Sequence, residues 1–375
     1  MIIGIDAHNI RGNGGSVVHL RELLANADPT LNGFTSIVVW TNKEALKVLP
    51  KNDFINYIVQ DIRNSISGLF WQKYKLREEA KKLKCDVLFF PGGIYLGNFK
   101  PFVAFSQSML PFDQKARKLY KGTLLYWILV VKKWLMLKTF NRSNGIIFVS
   151  NALKKKVEKV SGKAYKNSVV IHHGVNEFFK AKGKRQKKDN GTIKLLTVAS
   201  HALHKNLVPL VSKIAELRGE GLKLTLEIVG LETKYGSGKL YNKIKKIDPK
   251  NNFINVVVNV AYEQLPDYYN NADIFIASSI CESFGLPLIE ALVNQISICY
   301  QKLESFNEII NSEKFNSNVQ QYSNIDNDFT ESFQLLLKKE YPEKSVNINS
   351  LGSWKATAKK TLDFCVQSTK LSKFS

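Results

Sequence analysis

CESFGLPLIEA, Cys281–Ala291, joins two runs of different period. Ahead of it, NADIFIAS (271–278) ends in an apolar segment of strand type. Behind it, PLIEALVNQ (287–295) has apolar residues at helical spacing, with proline near the first turn, where a missing N–H costs nothing. The stretch is therefore expected to run strand, tight turn, helix. In a parallel α/β sheet that junction is where ligands sit. Two carboxylates bracket it, Glu282 before the turn and Glu290 within the helix.

The same alternation extends along the whole chain. IIGID, TSIVVW, FINYIVQ, CDVLFF, PFVAF and GIIFVS have strand character, with helical segments such as VVHLRELLAN and FWQKYKLREEAKKLK between several of them. After Val175, NEFFKAKGKRQKKDNG lacks apolar periodicity and is expected to be a linker. TIKLLTVAS, KLTLEIVG, NNFINVVVN, ADIFIAS and ISICY then resume the alternation. Strands separated by helices imply parallel sheets covered on both faces. Two such blocks give an α/β protein of two doubly wound domains, and 375 residues suit two domains better than one core.

Composition sets the outer bounds. Hydrophobic content of 44% and charged content of 23% describe a globular chain. No eighteen uncharged apolar residues run together, so no membrane span is expected, and MIIGIDAHN is too short and too soon interrupted by Asp6 for a secretory h-region. Cys85, Cys281, Cys299 and Cys365 are scattered, with no paired spacing, which suits a reducing cytosol and argues against structural zinc. The formal net charge of +22 points to a polyanionic partner, either nucleic acid, an anionic membrane surface or a phosphorylated small molecule, or else to solvated lysines alone.

The turn itself favours the phosphorylated molecule. N–H groups at a helix start lack intrahelical partners and carry partial positive charge, so a phosphate binds there. Gly285 allows close approach of the backbone. Glu290 lies five residues further on, about 7.5 Å along a helix axis, roughly the reach from a diphosphate to a ribose whose two hydroxyls donate to one carboxylate. Glu282 would face the other side of the diphosphate, where a sugar hangs.

ESFGLPLIEA resembles the E-x7-E signature of retaining glycosyltransferases of the GT-B fold, family 4 type. Other segments agree in order. IDAHNIRGNGGSVVHLRELL resembles the family's first strand and glycine loop, with Gly14 and Gly15 before the first helix. FVSNALKKKV and VVIHHGVNEFF resemble the end of its N-terminal domain, and LLTVASHALHKNLVPLV the first strand and phosphate-binding lysine, here Lys205, of its C-terminal domain. SWKATAKKTLDFC resembles the last helix, which in this fold crosses back to the N-terminal domain.

The resemblance implies a GT-B enzyme, two Rossmann-like domains facing a cleft, with an acceptor-binding domain at 1–178 joined by 354–375 and a nucleotide-sugar-binding domain at 192–353. It implies catalytic roles for Glu282, Lys205 and Gln107, and donor binding by Gly14, Gly15, Lys205, Glu282, Ser283, Phe284, Gly285, Leu286 and Glu290. Gln107 is the residue of FSQSMLPFD standing where members carry a histidine, beside Ser108. An arginine five residues before the lysine is replaced by Ser200, so His201, His204 or the helix start is expected to supply the second positive group.

The implied activity is hexosyl transfer from a nucleotide diphosphate sugar to an acceptor hydroxyl with retention, without metal or cofactor. The letters DND at Asp326–Asp328 are expected to cap a helix rather than hold a metal. Residues 115–140, KARKLYKGTLLYWILVVKKWLMLKTF, mix Trp127, Trp134 and Tyr126 with Lys132, Lys133 and Lys138, as a basic amphipathic helix on an anionic membrane or a core helix would. The expected acceptor is a lipid-linked or polyanionic saccharide of bacterial surface polysaccharide or lipopolysaccharide assembly, met in the cytoplasm at the inner face of the membrane. An epimerase on the same fold lacks the acid and base carboxylates it needs in the N-terminal domain. An RNA-binding protein would leave ESFGLPLIEA without a purpose and shows no recognition motif, so no nucleic-acid partner is expected.

Overall fold

The computed structural model describes residues 1–12, 14–62, 64–179, 191–312, 318–338 and 352–371. It divides into two units, one of Met1–Gln114, Thr123–Gly174 and Gly352–Ser375, the other of Lys115–Gly122 and Val175–Leu351. Most of the expected linker, residues 180–190, lies outside the described residues.

The first unit is built on strands β1 (Ile2–Asp6), β2 (Ser36–Thr41), β3 (Ile55–Val59), β4 (Val87–Phe90), β5 (Phe102–Ser106), β6 (Gly145–Phe148) and β7 (Ser168–Val170). They form one sheet in the order β3-β2-β1-β4-β5-β6-β7, each pair parallel. The inner strands β1, β2, β4, β5 and β6 are buried on both faces, as crossover helices require. On one face Trp40, Leu88, Phe90, Tyr95 and Phe102 pack with Trp71 and Leu76 of the helices Ser65–Tyr74 and Leu76–Lys82.

The helix Trp354–Leu371 belongs to this unit and packs against β4, β5, β6 and the helix Gly15–Ala25. Trp354, Ala358, Leu362 and Cys365 recur at helical spacing and are buried, and burial of a leucine such as Leu362 is worth about 1.5–3 kcal/mol. Polar ties fix its register: Thr357 Oγ1 donates to the His172 carbonyl at 2.8 Å, and Asn32 Nδ2 to Asp363 Oδ1 at 2.9 Å. Thus the C-terminal helix does return to the N-terminal sheet.

Six strands make the second sheet: β8 (Ile193–Val198), β9 (Leu224–Gly230), β10 (Ile254–Val258), β11 (Ile274–Ala277), β12 (Ser297–Gln301) and β13 (Val319–Tyr322). They too are all parallel, in the order β10-β9-β8-β11-β12-β13. Strand order reverses direction between β8 and β11, so the loops leaving their C-terminal ends diverge and open a crevice there. The corresponding reversal in the first unit falls between β1 and β4.

Three expectations are corrected. Residues 115–140 are not one helix. A short helix, Gln114–Lys118, is separated from Leu124–Arg142 by Gly122, whose φ of +84° ends helical geometry, and the piece Lys115–Gly122 groups with the second unit. The start of the expected linker is folded, because Phe179 is fully buried in a 3-10 turn, Glu177–Phe179, against Tyr262 and Tyr269. Asp328 does occupy the N-cap position of the helix Phe329–Leu337, but its carboxylate accepts from the Ser323 and Asn324 backbone instead of from the helix. Among the described residues no cluster of three or more metal-ligating side chains occurs, and no helix is long and apolar enough to cross a membrane.

A glycine in the HHGV segment is explained by the returning helix. A Cβ on Gly174 would lie 2.2 Å from the Trp354 backbone nitrogen and 2.4 Å from the Ser353 carbonyl carbon. Backbone cannot swing aside as a flexible side chain does, so Gly174→Ala should destabilise the first unit by about 1–3 kcal/mol through overpacking. Chemical denaturation with a Trp354 fluorescence readout checks this, and an unchanged midpoint would remove the close approach from the account.

Candidate active site

The crevice between β8 and β11 collects Lys205, Glu282 and the helix start at Gly285, three of the features singled out in the sequence. After β8 the chain makes a single 3-10 turn, Leu203–Lys205, and Asn206 takes a left-handed φ of +60° before the helix Leu207–Gly219. After β11 it runs through Ser278, Ser279 and Glu282 to the helix Leu286–Val293. The two loops are stitched together, Ile280 N–H donating to the His204 carbonyl at 2.9 Å and Ser278 Oγ to the Lys205 carbonyl at 2.8 Å.

This brings Lys205 and Glu282 into contact. Lys205 Nζ donates to Glu282 Oε1, and Ser279 Oγ donates to the same oxygen at 2.9 Å. Both side chains are more than four-fifths buried, with 18% and 17% exposed. Burial alone would raise the Glu282 carboxyl, but the Lys205 charge and hydrogen bond, with help from His204 and Ser279, hold it below the ordinary carboxylate range. The crevice therefore holds an ionised pair, and the ammonium is the group an incoming phosphate would compete for.

Gly285 starts the following helix with φ +116°, and a Cβ there would meet the Phe306 ring at 2.6 Å. Conformation and space both demand glycine. No acidic side chain occupies the first turn, and Pro287 sits within it, so the helix start keeps its positive character. Cys281 and Phe284 point into the core, whereas Ser283 and Leu286 are part-exposed beside Gly285.

Glu290 lies one turn deeper and is 2% exposed. Its Oε1 accepts the Tyr262 hydroxyl at 3.0 Å and its Oε2 the Tyr269 hydroxyl at 2.8 Å. Burial pushes its carboxyl up to about 7, against the downward pull of the two tyrosines.

Burial works against the histidines as substitute cations. Burial, reinforced by the Lys205 charge, lowers His204 to about 4, and burial lowers His201 as well. His204 is therefore neutral near pH 7. His204 Nδ1 lies 2.8 Å from the Tyr120 hydroxyl, and His201 Nδ1 lies 3.2 Å from Ser237 Oγ. With Ser200 in place of a basic residue, Lys205 and the helix start remain as the positive groups.

Gly14, Gly15 and Gln107 belong to the first unit. Gly14 stands at the N-cap of the helix Gly15–Ala25, with no side chain bonded to the first turn. Gln107 follows β5 and its Nε2 donates to the carbonyl of Pro91, the residue after β4, at 3.0 Å. Close to the same strand ends lies a network that sequence reasoning passed over. His8 Nδ1 donates to Asp6 Oδ1 at 2.5 Å, and Gln72 Nε2 to Asp6 Oδ2 at 2.6 Å, all three residues buried. The signal was available as two titratable residues two apart at the end of the first strand. Tyr120, Tyr262 and Tyr269 were also missed, and no motif marks them.

Two family models match consecutive parts of the chain: Glycosyltransferase Family 4 over residues 13–177 and Glycosyl transferases group 1 over residues 178–352. No curated protein sequence matches. Among solved structures, a glycosyltransferase from Rickettsia africae is 16% identical with a TM-score of 0.63, covering 100% of this chain and 96% of its own. Anabaena HepE in complex with UDP-glucose is 14% identical with a TM-score of 0.67, covering 100% and 99%. WaaG, a glycosyltransferase involved in lipopolysaccharide biosynthesis, is 12% identical with a TM-score of 0.64, covering 99% of each. At these identities the structures speak to fold.

The raised Glu290 carboxyl has a measurable consequence. Its folded-state value lies above the ordinary 4.5, so the neutral form is the one folding favours. Its contribution to stability is then full below pH 4.5 and is lost as pH rises through about 7. Glu290→Gln keeps a neutral group at every pH. Melting curves of variant and native chain should coincide near pH 4.5 and separate by pH 8, with the variant the more stable. A constant separation across that range would show that Glu290 does not titrate there.

Proposed function

The chain belongs to the family 4 type glycosyltransferases of GT-B fold, and from that premise we propose that it transfers a hexosyl group from a nucleotide diphosphate sugar to an acceptor hydroxyl with retention. The observation that carries the proposal is the placement of Lys205, Glu282 and a glycine-led helix start at the reversal point between β8 and β11, with Glu290 on the same helix. An ammonium and unpaired N–H groups suit a diphosphate, and a recessed carboxylate suits a diol. The UDP-glucose bound by the similar Anabaena protein supports this class of donor.

In the proposed reaction the bond between the anomeric carbon and the diphosphate oxygen breaks while the acceptor oxygen attacks from the same face. The acceptor proton passes to the departing phosphate. Negative charge grows on that phosphate, and Lys205 and the helix start stabilise it. Glu282 steers Lys205 and faces the sugar. Gln107 is assigned to the acceptor-binding unit as a hydrogen-bonding group, since an amide does not titrate. The rest of the catalysis is positioning.

We further propose an acceptor carried on an anionic membrane, in the assembly of a bacterial surface polysaccharide or lipopolysaccharide. The helix Leu124–Arg142 has two faces. Leu129, Met136 and Phe140 are buried, whereas Leu124, Trp127, Ile128, Val131 and Trp134 are exposed, Trp127 by 64% and Trp134 by 58%. An exposed apolar stripe on a helix without one acidic residue matches the interior and headgroups of an anionic bilayer. Lys138 lies 5.1 Å over the Trp134 ring, an arrangement suited to the headgroup level. Partial burial lowers the Lys132 ammonium on the same helix.

Lys205→Ala should reduce turnover about 10²–10³-fold with a smaller effect on donor affinity, because the charge it meets develops in the transition state. Nucleotide release from whichever of UDP-, GDP- or dTDP-glucose binds the native chain measures this, and unchanged release at saturating donor overturns the assignment. Flotation with liposomes tests the surface. Recovery with anionic vesicles should fall at raised salt and after Trp127→Ala with Trp134→Ala, each lysine contributing about 1 kcal/mol at low salt. Equal recovery from neutral vesicles would remove the electrostatic part.

A further inference from the structure

Both oxygens of Glu290 are already occupied, each by one tyrosine hydroxyl. A vicinal diol offers a carboxylate the same pattern, two hydroxyl donors, one per oxygen. At 2% exposure, the carboxylate is closed to a ribose unless a neighbour moves.

The two tyrosines differ in how firmly they are held. Tyr269 is fully buried in the helix Leu265–Asn271, its ring lies tilted against Phe275 at 5.6 Å, and its hydroxyl donates to the Pro287 carbonyl at 3.2 Å on the helix of Glu290. Tyr262 is part-exposed, in the single 3-10 turn Tyr262–Gln264, which follows β10 through Asn259 with a left-handed φ of +59°. Its ring meets Phe178 and Phe179 edge-on at 5.5 and 5.3 Å.

We propose that Tyr262 occupies the ribose subsite in the absence of donor, its hydroxyl standing in for one ribose hydroxyl on Glu290 Oε1, and that it turns away when donor binds while Tyr269 keeps the carboxylate in place. The inference rests on the donor reading of Glu290 given above. Tyr262 is then an internal competitor and Tyr269 a positioning residue, so the same Tyr→Phe change has opposite effects at the two sites. Removing a competitor raises apparent affinity by the factor it had been imposing, whereas removing a brace loosens the group it held.

Calorimetry is performed with the full chain and whichever of UDP and GDP binds it, both of which carry the 2′,3′-diol. Tyr262→Phe should bind that nucleotide about three- to tenfold more tightly, and Tyr269→Phe should bind it about threefold or more weakly. The gain from Tyr262→Phe should also vanish with either the 2′-deoxy or the 3′-deoxy form of the nucleotide, because only the matching hydroxyl must displace the tyrosine. Tyr262→Ala, if folded by melting temperature, should show the same gain. Weaker or unchanged binding in both Tyr262 variants overturns the inference while leaving the donor reading intact. Unchanged binding in Glu290→Ala, or no binding of any nucleotide by the native chain, overturns the donor reading and the inference with it.

Discussion

Two parallel strands cannot be joined by a tight hairpin, and most of this protein follows from that constraint. Every strand pair in both sheets is parallel. Each connection must therefore cross over a sheet face, usually as a helix, and each sheet must begin near its middle and grow outward in both directions. The reversal places two loops side by side with their strands' C-terminal ends below them. In the second unit those loops carry Lys205 and Glu282, 77 residues apart in sequence and in contact in space. In the first unit the end of β1 and the loop after it carry the Asp6–His8 pair and the glycine loop.

Within the second unit's crevice, burial sorts the ionisable groups into different states. Lys205 and Glu282 bury together and stay charged, because each compensates the other's desolvation. His204 buries without an adequate anion and becomes neutral, and burial lowers His201 too. Glu290 buries with two tyrosine donors and no cation, so its carboxyl rises toward neutrality. One positive centre results, beside a recessed carboxylate held by two tyrosine hydroxyls. Such a site suits a substrate whose diphosphate and diol lie a few ångströms apart.

The excess of basic residues is accommodated differently. The helix Leu124–Arg142 uses one face for the first unit's core and leaves the other both apolar and free of acidic residues. Buried Met136 and Phe140 anchor it, so the exposed tryptophans are presented on a rigid element and not on a loop. A rigid apolar stripe loses little further conformational freedom when it meets a surface.

The alternation of strand and helix, the parallel class, the turn at Gly285 and the candidacy of Lys205, Glu282 and Glu290 were legible in the sequence, because each depends on local patterning or on residue chemistry at fixed spacing. Short edge strands were not: β7 and β13, of three and four residues, are half-exposed and carry little apolar signal. Nor was the break at Gly122, since a single glycine marks a helix end only when its φ is known. The state of each charged group lay beyond the sequence entirely. That His204 is neutral, that Lys205 pairs with Glu282, and that Tyr262 and Tyr269 close over Glu290 all depend on which side chains the crossovers bring together and how much water they exclude. Residue identity determined what chemistry was available to this protein, and tertiary burial decided which groups carry charge, because the cost of desolvating an ion is set by its neighbours in space.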